Sequence, residues 1–207
     1  MIELFVSALV TFFVIIDPPG CAPIFASLTH DCPPAERRML AIRSVLIAAG
    51  ILLFFALFGE DLLDALGISL AAFRIAGGIM LFLIALEMVF EKRTERREKR
   101  ADEINATPEQ EDISVFPMAI PMIAGPGSIA SIMLLMARSN GLPESLVVLA
   151  ALGSILVLTL VALLAAGPLM RLLGNKVEAM ITRILGVILA ALAAQFVIDG
   201  ISVSFNV

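Results

Sequence analysis

The chain has 207 residues, 60% of them hydrophobic, and a mean hydropathy of +1.02. A soluble domain carries roughly 45–50% apolar residues, so lipid must solvate much of this surface. The formal net charge is -5, and most of the 14 Lys and Arg are gathered into a few loops rather than one basic face, which excludes nucleic acid as a partner.

The N-terminus, Met1-Ile2-Glu3, brings no Lys or Arg ahead of the first apolar run. It lacks the charged leader of a signal peptide, and the first segment reads as a retained spanning helix. A helix needs about 20 mostly apolar residues to cross the ~30 Å hydrocarbon core. Six windows meet that length: 4–29, 39–58, 67–90, 115–137, 143–168 and 177–200. Their apolar runs are continuous, not alternating, which predicts an all-α membrane protein and excludes a β-barrel.

Within the first window, Asp17-Pro18-Pro19-Gly20 interrupts the helical pattern. Proline removes a backbone donor and glycine weakens the helix further, so a break is expected there. An intramembrane carboxylate is expensive, which makes Asp17 a functional candidate. It can meet a substrate ammonium, carry a proton, or pair structurally with Arg74 or Arg183; the sequence leaves these open. Cys21 follows inside the same segment and Cys32 lies in the loop after it. Two cysteines are too few for a disulfide framework, and both read as reduced thiols. His30 beside Asp31 and Cys32 reads as loop, because a metal site needs three or four convergent ligands.

The second window leads to the acidic loop Gly59-Glu60-Asp61 through Asp64. The third carries Arg74 about 10 Å deep, at 1.5 Å per residue, and the small residues Ala71, Ala72, Ala76, Gly77 and Gly78, which allow close helix approach. Glu87 stands near its end and reads as interfacial. The stretch 91–114 is polar, rich in both signs of charge, and reads as a solvated linker.

The fourth window repeats the pattern of the first. Ile123-Ala124-Gly125-Pro126-Gly127 stands against Ile16-Asp17-Pro18-Pro19-Gly20 at an offset of 107. In the sixth, Arg183-Ile184-Leu185-Gly186 stands against Arg74-Ile75-Ala76-Gly77 at an offset of 109. Each half has an odd number of spans, so the halves, 1–90 and 115–207, are inverted in the membrane around the linker, a plan common among secondary transporters. Breaks in helices 1 and 4 create half-helix N-termini whose free amides favour anions. The candidate substrate-binding residues are therefore Asp17, Pro18, Pro19, Gly20, Cys21, Ala124, Gly125, Pro126, Gly127 and Ser128. Arg74 and Arg183, one approached from each side, are the candidate gate or ion-pair groups. Asp199 and Gln195 stand in the last span, Asp199 near its end.

Charge fixes the orientation. The odd loops hold Arg37, Arg38, Lys92, Arg93, Arg96, Arg97, Lys99, Arg100, Arg171 and Lys176, and the even loops only Arg138. By the positive-inside rule the odd loops are cytoplasmic and both termini lie outside, in a multi-pass protein of the cytoplasmic (inner) membrane.

These residues also carry a resemblance. Asp17-Pro18-Pro19-Gly20 continues into Pro23-Ile24-Phe25 and Ser27-Leu28-Thr29; with Ala124-Gly125-Pro126-Gly127-Ser128-Ile129 and the six-span plan, the whole chain resembles the MarC family of integral membrane proteins. The family commonly has one Pro, a Leu or Val, then Gly-Asn after the Asp; here Pro19 takes the variable place and Cys21 stands where Asn is frequent. The resemblance implies the wider group of lysine-exporter-like transporters and a set described as neutral amino acid transporters. The expected function is secondary transport of small neutral amino acids, of the glycine, alanine, serine or threonine type, with a zwitterionic solute held between the two breaks. No enzyme activity, cofactor or resident metal is expected. Coupling to protons or Na+ and oligomerisation are left open. The alternative is a divalent-metal exporter of manganese type, which would want several carboxylate, Asn or His ligands at one point.

Overall fold

The computed structural model describes residues 1–92, 95, 96, 99 and 112–205, with the side chains of 169–176 and 178 outside the description. Every regular element among the described residues is helical. They are α1 (Ile2–Ile16), α2 (Pro18–Leu28), α3 (Pro34–Ala65), α4 (Leu70–Val89), a kinked and irregular helical segment α5 (Ser114–Ile123), α6 (Pro126–Ala137), α7 (Leu142–Leu164) and α8 (Ala166–Phe205). Five segments are long and apolar enough to cross a membrane, with α1 and α2 counted as one; the bent pair α5–α6 makes six. Helices are the natural outcome for such segments, because hydrocarbon offers no partner to a backbone amide or carbonyl. Leu46, Phe54, Leu57, Leu83, Val157 and Val187 are all exposed on their outward faces, as lipid contact requires.

Two expected spans are longer than their apolar windows. The second runs over Pro34–Ala65, because Glu36, Arg37 and Arg38 at one end and Glu60 to Asp64 at the other are compatible with helix outside the hydrocarbon. The last begins at Ala166. The loop expected to hold Arg171 and Lys176 is therefore helical backbone, and only Ala165 separates α7 from α8. Most of the linker, including Arg93, Arg97, Arg100 and Asn105, lies outside the described residues.

The largest interface joins α4 to α8. They run antiparallel in one register, and three glycines set their separation. A Cβ on Gly78 would meet the Ala193 carbonyl at 2.8 Å, one on Gly200 the Ala71 carbonyl at 2.9 Å, and one on Gly186 the Ala85 carbonyl at 3.1 Å. The small residues of these spans thus serve close packing. Elsewhere α1 packs on α7 and α5 on α3; α2 packs on α7 and α8, and α6 on α3 and α4. One core, including Phe12, Phe25, Leu52, Ile132 and Leu152, joins α1, α2, α3, α5, α6 and α7. A second, including Leu81, Met88, Leu134 and Leu189, lies between α4, α6 and α8 and is closed by Val14 and Ile15 of α1.

Candidate functional site

Helix α1 stops at Ile16 because Pro18 and Pro19 have no N–H to continue its ladder. Asp17 takes the left-handed conformation, φ 57 and ψ 64, and becomes the N-cap of α2. Its Oδ1 accepts from the Gly20 amide at 3.1 Å, the ordinary service of an N-cap carboxylate. The carboxylate lies directly where a Cβ on Gly20 would stand, so the glycine leaves room for the cap. Cys21 is fully buried and its thiol donates to the Ile16 carbonyl at 3.4 Å. Asp17 itself is 1% exposed.

The second interruption is built differently. Phe116 and Ile120 are extended, φ -127 and -125, each preceding a proline, Pro117 and Pro121, through a cis bond; a residue before proline is pushed out of the helical region. The bonds that remain span five residues, as from the Ala124 amide to the Ala119 carbonyl at 2.9 Å. The chain then bends by 53° into α6. Gly125 is the N-cap of α6 and has no side chain to offer its amides; Pro126 takes the first helical position. A Cβ on Gly125 would collide with the Pro121 carbonyl.

A cavity of about 100 Å³ lies at this N-terminus, lined by Gly125, Pro126, Gly127 and Ser128, with Pro117, Pro121 and Met122 of α5, Ile15 of α1, Ile84 of α4, and Arg96 of the linker. The space suffices for a small solute or a few waters. Of the ten predicted substrate residues, the cavity takes in Gly125, Pro126, Gly127 and Ser128. Ala124 is buried just behind them. Asp17, Pro18, Pro19, Gly20 and Cys21 do not line it; the first break reaches it through Ile15, whose Cγ2 lies 3.3 Å from a Cβ placed on Gly127. The two breaks are thus neighbours, with the open volume at the second.

The predicted arginines occupy opposite ends of the α4–α8 pair. Arg183 pairs with Glu91 at 2.5 Å, which corrects the pairing with Asp17 held open for it: Arg183 stands beside the end of α4, not beside the α1–α2 break. Arg74 packs against Gly200, within electrostatic reach of Arg138 and Asp199. There Arg138 bonds Asp199 and stacks over Phe196 at 5.0 Å, and the Gln195 amide donates to the same carboxylate at 2.7 Å. Glu87 and Asp199 are accordingly ion-pair members. Arg96, read from the sequence as part of a solvated linker, donates to Glu87 Oε1 at 2.7 Å and lines the cavity. No local pattern could have flagged it, since the contact depends on how the linker leaves α4. At the same end Asp112 accepts from Arg43 at 2.7 Å and from the Ser114 hydroxyl at 2.6 Å. The Ser114 hydroxyl, its amide and Arg43 hold the Asp112 carboxyl below the usual carboxylate range, against the opposing effect of burial. Among the described residues no three of His, Cys, Asp and Glu converge as metal ligands.

Helices of this length and apolarity around two interrupted segments define a multi-span integral membrane protein. The chain belongs to the MarC family: the model for MarC family integral membrane proteins matches residues 2–205. It is 39% identical over 200 residues to the UPF0056 membrane protein MJ1677 of Methanocaldococcus jannaschii, covering 97% of each chain. It is 36% identical over 198 residues to the UPF0056 inner membrane protein YhgN of Escherichia coli K12, covering 95% of each. It is 32% identical over 207 residues to the UPF0056 membrane protein YvbG of Bacillus subtilis, covering 100% of this chain and 98% of the other. No solved structure matches the chain.

Proposed function

We propose that the protein is a secondary transporter of small neutral amino acids, of the glycine, alanine, serine or threonine type, in the cytoplasmic membrane. It performs no chemistry on its solute and takes no cofactor beyond a coupling proton or Na+. The observation that carries this reading is the contrast between two equivalent helix starts. At α2 the anion-seeking amides are satisfied by the protein's own Asp17 carboxylate, bonded to the Gly20 amide. At α6 the N-cap is Gly125, no side chain caps the helix, and a cavity stands at that point. Aligning the caps, Asp17 with Gly125 and Pro18 with Pro126, pairs Gly20 with Ser128. A solute carboxylate at the Gly127 and Ser128 amides would therefore repeat what Asp17 does at α2, with the helix dipole adding to the attraction.

The inverted repeat of 1–90 and 115–207 is part of the proposal, and the packing supports it. Exchanging α1, α2, α3 and α4 for α5, α6, α7 and α8 turns the α1–α7 contact into α5–α3. It turns α2–α7 into α6–α3 and α2–α8 into α6–α4, and all of these contacts occur. Such exchange is what a two-fold axis in the membrane plane produces, with the solute between the repeats. The pairs Arg43–Asp112 and Arg183–Glu91 group the basic loops at one end, in keeping with a cytoplasmic face there and both termini outside.

The test is uptake by purified protein in liposomes, against a panel of amino acids and Mn²⁺. Saturable exchange of small neutral amino acids, reduced in Gly127→Val, is the expected result. A Val side chain there would crowd Ile84, Leu81 and Ile15, all within 3.3 Å of the Cβ position. Flux of Mn²⁺ alone, or full flux in Gly127→Val, would refute the assignment.

A further inference from the structure

The amides of α6 suit a carboxylate, but an amino acid also carries an ammonium, and Asp17 already caps α2. Glu87 is a carboxylate bonded to Arg96 of the cavity wall. Ile84 lines the cavity and lies 3.0 Å from a Cβ placed on Gly127. Glu87 follows it by three residues on the same helical face, about 4.5 Å along the axis at 1.5 Å per residue. Its Oε1 accepts from Arg96, which also lines the cavity. Its Oε2 is inaccessible to solvent and has no hydrogen-bond partner. A carboxylate oxygen enclosed this way is destabilised unless a cation or donor reaches it. Arg96 has a side chain that is 61% exposed, so it can swing into water without losing its hydration.

We propose that Glu87 is the ammonium-binding group of the site and that Arg96 is its resident cation between turnovers. The inference rests on the transport reading above. As the solute carboxylate settles on the Gly127 and Ser128 amides, its ammonium takes Glu87 from Arg96, and Arg96 moves to solvent. The exchange conserves charge: one cation replaces another at Glu87, and the solute is neutral overall. A zwitterion satisfies both subsites, whereas a monocarboxylate satisfies only the α6 amides. Glu87 thereby sets the preference for amino acids over simple organic acids.

The experiment is calorimetric titration of detergent-purified protein with L-alanine and with propionate, which lacks the ammonium. Wild type should prefer alanine. Glu87→Gln should weaken alanine by about tenfold or more, the worth of one charge-assisted hydrogen bond, and leave propionate unchanged. Arg96→Gln should tighten alanine, because the competing cation is gone. The double variant Glu87→Gln/Arg96→Gln, which leaves no unpaired charge, should lose the preference while keeping wild-type thermal stability. That separates loss of a subsite from loss of the fold. If Glu87→Gln and the double variant keep the wild-type preference, Glu87 is not the ammonium group, though the transport reading stands. If wild type binds neither ligand, the transport reading falls and the inference with it.

Discussion

Asp17 offers the sharpest test of the energetics, because its backbone and its side chain make separate demands. At φ 57 an alanine costs about 1–2 kcal/mol that Asn largely avoids. The Gly20 amide loses the Oδ1 it donates to, and a hydrogen bond to a charged partner is worth about 1.5–3 kcal/mol. Asp17→Ala should therefore destabilise by about 2.5–5 kcal/mol in total. Asp17→Asn keeps an acceptor for the Gly20 amide and the left-handed tolerance, and loses the charge at a buried helix start, worth up to about 2 kcal/mol. Asp17→Gly falls between, relieving the backbone but losing the cap. Thermal denaturation of the purified variants in one detergent should rank wild type, Asn, Gly, then Ala. An Asn variant as unstable as the Ala variant, or an Ala variant as stable as wild type, would refute the capping account. Flux then adds a second axis: the Asn variant should still transport, since the ammonium is assigned to Glu87. A stable but transport-dead Asn variant would return the ammonium or the coupling proton to Asp17.

Gly78→Leu should destabilise by about 1–3 kcal/mol through overpacking, because its Cβ meets Val197 at 2.7 Å and the Ala193 carbonyl at 2.8 Å; Gly50→Leu, with nothing within 4 Å, serves as the control in the same melting assay. Asp112, whose carboxyl is held below its ordinary range, adds stability that is complete above the ordinary carboxylate pKa of about 3.9 and fades as pH falls through its depressed value. Melting temperature below about pH 4 should accordingly fall less steeply in Asp112→Asn than in wild type. His30→Cys and Asn140→Cys, each in a background free of Cys21 and Cys32, should label with an impermeant maleimide from opposite faces of sealed cells, Asn140→Cys from outside; labelling of both from outside would reject the orientation.

The spans were legible because hydrocarbon forces long continuous apolar runs, and the first break because Asp17-Pro18-Pro19-Gly20 contains its own cap and its own stop. Span ends were not, since Glu36 to Arg38 and Glu60 to Asp64 leave the apolar window without leaving the helix. The second break is expected at Ile123-Ala124-Gly125-Pro126-Gly127, and the chain turns there. Its irregular approach follows from Pro117 and Pro121, each of which disfavours helix at the residue before it, a signal that an apolar window does not carry. The cavity wall was legible for Gly125 to Ser128 and hidden for Ile84 and Arg96. Those two arrive from elements 29 or more residues away, and their position depends on packing that no local pattern encodes. Arg183 shows the same limit: its partner Glu91 is 92 residues earlier, and nothing near either residue announces the other.

The glycine register between α4 and α8 also constrains how the chain is made. Gly78 finds Ala193 and Val197, and Gly200 finds Ala71 and Arg74, so α4 meets its main partner only when the last segment has left the ribosome. At about 5–20 residues per second, the intervening 110 or so residues take roughly 5–20 s to synthesise. For that interval α4 waits in the bilayer with a face shaped for close backbone contact and only lipid, or the insertion machinery, against it. A released chain truncated before residue 186 should be a better substrate for membrane quality-control proteases than the chain carrying α8 to residue 205, although both contain α4 whole.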